Sequence, residues 1–257
     1  MKIAFHLKIF ICFLIFAQQN QPTMNIVITG ASQGIGRATV KKLCRDSSHN
    51  IVAIARNGQK LDELRQECLA ENAEAQVFPV PFDLSSTGYT FNLLPHILKA
   101  FNTVDVLINN AGLLVKKEFL HLTDEDFDRA FDVNVKSVFK LTRALLGYFN
   151  NPAHIVNISS MGGVQGSSKF PELALYSAAK GAVAVLTEAM AEEFKPRGIR
   201  VNCLAFGAVQ TEMFAEAFPG YKAPMSSEEM GEFLADFAVN GQRFFNGKIL
   251  PVSVSTP

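Results

Sequence analysis

Tyr176 and Lys180 stand four residues apart in Tyr176-Ser177-Ala178-Ala179-Lys180, a stretch of helical period. On a helix this spacing places both side chains on one face, one turn apart. A phenol holds its proton to about pH 10, too high for ready exchange near neutrality. A nearby ammonium stabilises the phenolate and lowers that value. The pair therefore suits a general acid for an oxygen gaining negative charge, and a base in the reverse direction. Ser160, the second serine of Ile158-Ser159-Ser160, can donate a hydrogen bond to the same oxygen. Each residue alone has a plainer explanation, since a tyrosine opening a helix packs and a lysine four later is a solvated charge.

A second constellation lies near the start. Thr29-Gly30-Ala31-Ser32-Gln33-Gly34-Ile35-Gly36 falls between an apolar run and a helical stretch. Glycines there let the backbone turn sharply and approach a pyrophosphate, which then rests on the amide-rich end of the helix. The spacing is G-x-x-x-G-x-G, one residue longer than the common dinucleotide fingerprint. Gly30, Ser32, Gln33, Gly34, Ile35 and Gly36 are the candidate contacts. At the next apolar run the chain reads Ile54-Ala55-Arg56-Asn57. Ala55 cannot hold ribose hydroxyls as an acid would, whereas Arg56 offers a planar cation matched to a 2′-phosphate. The implied cofactor is NADP(H).

These residues need a scaffold, and the chain supplies an alternating one. Strands are expected at Asn25–Thr29, Asn50–Ala55, Gln76–Pro81, Val104–Ile108, His154–Ser159, Arg200–Leu204 and Lys248–Val252. Helices are expected near Gly36–Asp46, Gln59–Glu71, Tyr89–Phe101, Thr123–Tyr148, Tyr176–Phe194 and Ser227–Phe237. Thr123 followed by Asp124, Glu125 and Asp126 is a helix start, with a side-chain cap and acids at the positive end of the dipole. Nearly continuous apolar strands imply a parallel sheet covered on both faces. The expected fold is α/β, a Rossmann-type doubly wound parallel sheet of about seven strands with helices on both faces, in a single domain.

In this order the motifs resemble the short-chain dehydrogenase/reductase family over Met24 nearly to the C-terminus. They are Thr29-Gly30-x-x-x-Gly34-x-Gly36, Asp83, Asn109-Asn110-Ala111-Gly112, Asn134, Ser160, Tyr176-x-x-x-Lys180, and Thr211 after a glycine-containing loop. The resemblance implies a carbonyl–alcohol interconversion by hydride transfer, with Tyr176 as acid/base and Asn134, Ser160 and Lys180 completing the catalytic set. It gives Lys180 a second role on the nicotinamide ribose and Asn134 a water in a proton relay. It adds Asp83 with Leu84 at the adenine, Asn110, Ala111 and Gly112 along the cofactor, and Thr211 at the carboxamide. Asp83 could instead close an Asx turn with Ser85, Asn109 could bond neighbouring strands, and Asn134 could kink a helix. Relatives pair into homodimers or homotetramers through helices corresponding to Thr123–Tyr148 and Tyr176–Phe194.

Two departures stand out. Phe206-Gly207 replaces the family's Pro-Gly, which frees φ and suggests a more mobile loop over the nicotinamide. The gap from Ser160 to Tyr176 is about three residues longer than usual, with the excess around Gly166–Leu173. Leu113, Leu114, Met161, Phe206, Phe214, Phe218 and the loop Glu212–Pro224 would wall an apolar substrate pocket, favouring a hydrophobic ketone or aldehyde over a sugar. A 3-oxoacyl-carrier-protein reductase is the same-fold alternative. Asn150, Asn151, Glu192 and Glu193 lack the positive charge for docking an acidic carrier. A catalytically silent dinucleotide-binding regulator is the other alternative, and the complete catalytic set argues against it.

The 257 residues carry 24 basic and 24 acidic side chains, a balance that disfavours a nucleic-acid or membrane-surface binder. Neither the four cysteines nor the five histidines show metal-site spacing, so no metal is expected. Residues 1–23 contain Lys2 and Lys8 before an apolar run, Ile9 to Ala17. This run looks like a signal peptide and is too short to span a membrane. The alternative is a misassigned start, with Met24 first. NADPH is regenerated inside cells, and Asn157-Ile158-Ser159 falls on an expected buried strand. Both favour a cytoplasmic protein whose fold is 24–257.

Overall fold

Asn25–Thr29 forms strand β1 because Ile26, Val27 and Ile28 can all be buried, one side chain to one face and the next to the other. The computed structural model describes residues 23–46 and 49–254, so the leader expectation, apart from Thr23, lies outside the described residues. Parallel strands flank β1: β2 (Asn50–Ala55) on one side, carrying β3 (Gln76–Pro81), and β4 (Val104–Asn109) on the other. Beyond β4 come β5 (Phe149–Ser160), β6 (Ile199–Phe206) and, at the edge, β9 (Ile249–Val252). A short pair, β7 (Val209–Gln210) and β8 (Met225–Ser226), stands apart from the seven-stranded sheet.

The two faces bury separate cores. Ile26, Ile28, Ile51, Val106 and Val156 pack under α1 (Gly34–Asp46), α2 (Gly58–Glu71) and α8 (Ser227–Asn240). Val27, Val52, Leu107, Ile155 and Val201 pack under α3 (Leu94–Ala100), α5 (Ser137–Leu145) and α6 (Ala174–Phe194). Each fully buried Ile or Val contributes about 1.5–3 kcal/mol relative to exposure, so this two-sided strand pattern drives the sheet. The order 3-2-1-4-5-6-9 reverses direction between β1 and β4. A ligand crevice belongs at that switch point, beyond the carboxyl ends of the strands.

Strands β1, β2 and β3 have the expected bounds, while β4, β5 and β6 extend further. The expected long helix Thr123–Tyr148 is three pieces: α4 (Asp124–Phe131), a π-type turn Asp132–Lys136, and α5 ending at Leu145. Thr123 and Asp126 form a reciprocal capping box, as the spacing implied. The interruption coincides with Asn134, whose Nδ2 donates to the Ala130 carbonyl at 2.8 Å and competes for that acceptor with the backbone. Glu212–Ala217, expected as loop, is a short helix, α7, capped by Thr211.

Phe206 corrects the expectation of a mobile loop. It closes β6, pairs with Ser160 and Val252, and is 5% exposed. Packing and strand pairing hold the position that proline's ring holds in relatives. Asn157 is fully buried between Asn109 and Thr187, so the formal glycosylation triplet is a strand-bridging amide. No helix among the described residues is long and apolar enough to cross a membrane.

Candidate active site

A cavity of about 1320 Å³ runs along the carboxyl ends of β1, β2, β4, β5 and β6. At one end is the glycine turn between β1 and α1. Asn110, just past β4, donates its Nδ2 to the carbonyls of Thr29 at 3.0 Å and Gly30 at 3.3 Å. Its own N–H and that of Ala111 donate to Thr29 Oγ1, each at 3.1 Å. Gly36 has no room for a side chain, because a Cβ would lie 2.3 Å from the Gly30 carbonyl oxygen. The turn is thus pressed against the start of α1, leaving the amides there open to the cavity.

Gly30, Ser32, Gln33, Gly34, Ile35, Arg56, Asp83, Leu84, Asn110, Ala111, Gly112 and Thr211 all line this space, with Ser160, Tyr176 and Lys180. Gly36 and Asn134 do not, and their parts are indirect. Gly36 sets how closely the turn meets the helix. Asn134 clamps the β4 loop, accepting from Leu113 N–H at 3.1 Å and donating to the Leu113 carbonyl at 2.8 Å. A Cβ on Gly112 would lie 3.3 Å from Asn134 Oδ1 and 3.4 Å from Lys180 Nζ, so the missing side chain leaves a gap reached by both.

Arg56 projects from the end of β2 into the wall, beside Asn57 and Lys60. Lys60 Nζ donates to Gln33 Oε1 at 3.3 Å, so a second cation tethers the turn from α2. Sequence reasoning missed Lys60. Its signal was available, as a lysine in the first turn of the helix that follows Arg56. Asp83 does form the Asx turn, accepting from Ser85 N–H at 2.9 Å and Ser85 Oγ at 2.8 Å. These bonds, with Arg56 nearby, hold its carboxyl below the usual range.

At the opposite end β5 and α6 bring three groups together. Ser159 and Ser160 point to opposite sides of their strand. Ser159 Oγ donates to the Lys180 carbonyl at 2.7 Å and is buried, whereas Ser160 Oγ accepts from Gly162 N–H at 3.2 Å and lines the cavity beside Tyr176. Tyr176 is half-buried and lines the cavity, and desolvation pushes its phenol up to about 12, with the nearby Ser160 hydroxyl pulling the other way. Lys180 Nζ donates to the Ile158 carbonyl at 2.9 Å and lies 5.7 Å from the Tyr176 ring centre. Burial lowers that ammonium to about 8. The phenol is thus raised rather than lowered, against the expectation placed on Lys180. The ammonium stands 5.7 Å from the ring centre and donates to a carbonyl, and burial works against the charged form of each group.

Thr211 Oγ1 accepts from Phe214 N–H at 3.2 Å as the α7 cap, which leaves its own hydrogen free to donate. Leu113, Leu114, Met161, Phe206, Phe214 and Phe218 line the end beyond Tyr176, as expected, and Phe170, Met213 and Tyr221 join them. Asn150, Glu192 and Glu193 stand away from the cavity, so their lack of positive charge does not bear on carrier docking at its mouth. Asn150 bonds Asp105 near the start of β4, roughly 30 Å along β5 from Ser160. Glu192 and Glu193 stand at the far end of α6 from Tyr176, roughly 24 Å away.

A family model described as short chain dehydrogenase matches residues 24–222. The carbonyl reductase (NADPH) 2 of Sus scrofa is 38% identical over 199 residues, covering 76% of this chain and 76% of that protein. A 3-oxoacyl-acyl-carrier-protein reductase of Synechocystis sp. is 33% identical over 189 residues, 73% of this chain and 74% of that one. Among solved structures, a 3-ketoacyl-(acyl-carrier-protein) reductase from Brucella melitensis complexed with NADH superposes with a TM-score of 0.76 at 27% identity. It covers 89% of this chain and 96% of its own. A short chain dehydrogenase from Burkholderia cenocepacia in complex with NADP has a TM-score of 0.81 over 91% of this chain and 98% of its own. At 23% identity it speaks to the fold.

Proposed function

The chain belongs to the short-chain dehydrogenase family, and on that footing we propose that it reduces an apolar ketone or aldehyde with NADPH, Tyr176 delivering the proton. The observation that carries this reading is the meeting of the Ser160 hydroxyl, the Tyr176 phenol and the Lys180 ammonium at one end of a cavity whose other end is the glycine turn. The residues present fit a dinucleotide. Gly30 and Gly36 hold the turn so close that a side chain at either would collide with Asn110, and the open amides of the turn suit a pyrophosphate. Arg56 and Lys60 would hold the 2′-phosphate, and Asp83, Leu84, Asn110, Ala111 and Gly112 the adenosine and the face of the dinucleotide. Thr211 would hold the carboxamide. The bound cofactor supplies the hydride, and the protein supplies position and charge.

Ser160 and Tyr176 donate to the substrate oxygen, which aligns the carbonyl and stabilises the charge that grows on it. A phenol held near 12 keeps its proton throughout the neutral range, so Tyr176 is loaded as the acid for reduction. Lys180 uses one hydrogen on Ile158, leaving two for the ribose and for the phenolate as it forms. Asn134 braces Leu113 and, across the gap left by Gly112, faces Lys180. A water there would refill the proton on Tyr176.

A carrier-linked 3-oxoacyl substrate is the second reading, favoured by the Synechocystis relative and by exposed Arg129 on the cavity wall. Lys116 and Lys117 near the mouth are already paired with Glu172 and Asp126, which leaves little positive charge for an acidic carrier. We read the protein as cytoplasmic, where NADPH is regenerated. We also read it as a homo-oligomer, with Phe127, Phe139 and Val185 exposed on the pairing helices.

The deciding experiment measures NADPH oxidation with free aryl and alkyl ketones and with carrier-linked 3-oxoacyl thioesters, for the protein and for Tyr176→Phe. The variant should lose about 10³-fold in kcat while binding NADPH normally. Turnover that survives the substitution defeats the assignment of the acid, and turnover with carrier-linked substrate alone moves the protein to the second reading.

A further inference from the structure

The residues between Gly166 and Leu173 make an irregular loop with turns at 165–166 and 171–172, set against the substrate end of the cavity. Lys169 Nζ donates to the Val164 carbonyl at 2.6 Å and to Ser167 Oγ at 2.7 Å, which staples the segment to itself. Phe170 and Leu173 then line the cavity from this side. Facing them is the lid formed by α7 and the residues after it, where Phe214 packs on Phe218 at 5.1 Å and on Tyr221 at 6.3 Å.

One side chain joins the two. Lys116, on the loop after β4, places Nζ 3.4 Å from Glu172 Oε2 of the 166–173 loop, donates to the Ala217 carbonyl of the lid at 3.0 Å, and stands 5.1 Å from the Phe218 ring centre. Its neighbour Lys117 donates its N–H to the Glu172 carbonyl at 2.9 Å. Glu172 has φ +66°, a left-handed conformation that costs a residue with a side chain, and it persists because both lysines hold it. On this side of the cavity Leu113, Leu114, Met161, Leu173, Met213 and Phe214 are apolar, and the Lys116 charge is already committed to Glu172.

Resting on the reductase reading above, we propose that Lys116 is a specificity-determining positioning residue: it clasps the 166–173 loop to the lid and so shapes an uncharged chamber for bulky hydrophobic ketones. Lys116 touches neither the reacting carbon nor the cofactor. Its effect is on where the apolar walls stand. A large uncharged substrate feels the clasp in binding, and a small one that never reaches the walls does not. A substrate bearing a carboxylate would have to displace Glu172 to use the same ammonium.

The test compares the protein with Lys116→Met and Lys116→Arg on acetophenone, its carboxylated counterpart 4-acetylbenzoate, and 2-butanone. Lys116→Met should raise KM for acetophenone about tenfold, with kcat and the NADPH dissociation constant changed less than about threefold, and 2-butanone unaffected. Lys116→Arg, which keeps charge and reach, should recover most of the loss. A loss confined to 4-acetylbenzoate overturns the proposal, since Lys116 would then read substrate charge. An equal fall in kcat for every ketone also overturns it. Hydrogen exchange at residues 212–224 gives a readout independent of turnover. It should quicken in Lys116→Met and return in Lys116→Arg, and unchanged exchange overturns the clasp. If the protein turns over none of the three ketones while exchange behaves as expected, the reductase reading fails and the clasp stands.

Discussion

The glycine turn and the lid face each other across one cleft, with a Cβ on Gly34 only 3.2 Å from Thr211 Cγ2, yet they are held by different means. The turn is built from backbone in close contact: Asn110 donates to two of its carbonyls, and Ala31 N–H donates to Ile54 of the neighbouring strand at 3.2 Å. The lid hangs on side chains, with the Thr211 cap, the Gln210 amide accepting from Ala223 N–H at 2.9 Å, and Lys116. Backbone packing fixes positions to a few tenths of an ångström and tolerates no added atom. Side-chain clasps hold a surface in place while allowing its chemistry to differ from one protein to the next. The invariant part of the reaction therefore sits on the first kind of support and the selective part on the second.

Substitutions on the two sides of the cleft should separate them most widely. Gly36→Val puts branched carbon where a single Cβ already lies 2.3 Å from Gly30 O and 2.5 Å from Asn110 Nδ2. It should weaken NADPH binding by about 100-fold or more and lower the melting temperature by several degrees. Phe218→Ala on the lid should leave NADPH affinity within about twofold while KM for an aryl ketone rises. Fluorescence titration and thermal melts measure both, and equal effects on NADPH binding would erase the contrast.

A second way to sharpen it uses acid. His154 lies in the sheet, fully buried, with Nδ1 2.9 Å from the Ala238 carbonyl and Nε2 3.0 Å from Asn202 Nδ2. Burial holds its imidazole down to about 4, against an ordinary value of about 6.5. Between those values the unfolded chain binds a proton that the folded protein refuses. The histidine's contribution is therefore complete above about pH 6.5 and drains away as pH falls toward 4, by roughly 3 kcal/mol. Denaturant titrations from pH 7 to 4 should show that loss, and His154→Gln should flatten it. An unchanged slope would remove His154 as its source.

The smallest expected effect is at the rim of the turn. Arg56→Ala should lower affinity for NADPH about tenfold and leave NADH within about twofold, because an exposed cation is partly screened and Lys60 remains beside it. Loss of both cofactors alike would place Arg56 in the turn's support instead of at the 2′-phosphate.

Much of the turn side was legible in the sequence, because burial on both faces leaves a continuous apolar run that marks β1 and β2 to the residue. The lid side was not. α7 is too short to show a helical period, and β7 and β8 are two residues each. Lys116 looked like any solvated lysine, since its partners lie 56 and 101 residues away. Asn134 was read with both a functional and a local alternative, and the break it makes in the expected long helix depends on the Leu113 loop meeting it.

The order of motifs along the chain, with the period of its apolar residues, was enough to determine a doubly wound sheet, a phosphate-cradling turn and a Tyr–Lys pair on one helical face. Those features follow from local geometry, which spacing records. The burial of that pair, the fixing of Phe206 and the joining of the 166–173 loop to the lid were decided by tertiary structure. Desolvation and contact between distant segments exist only once the chain has closed on itself.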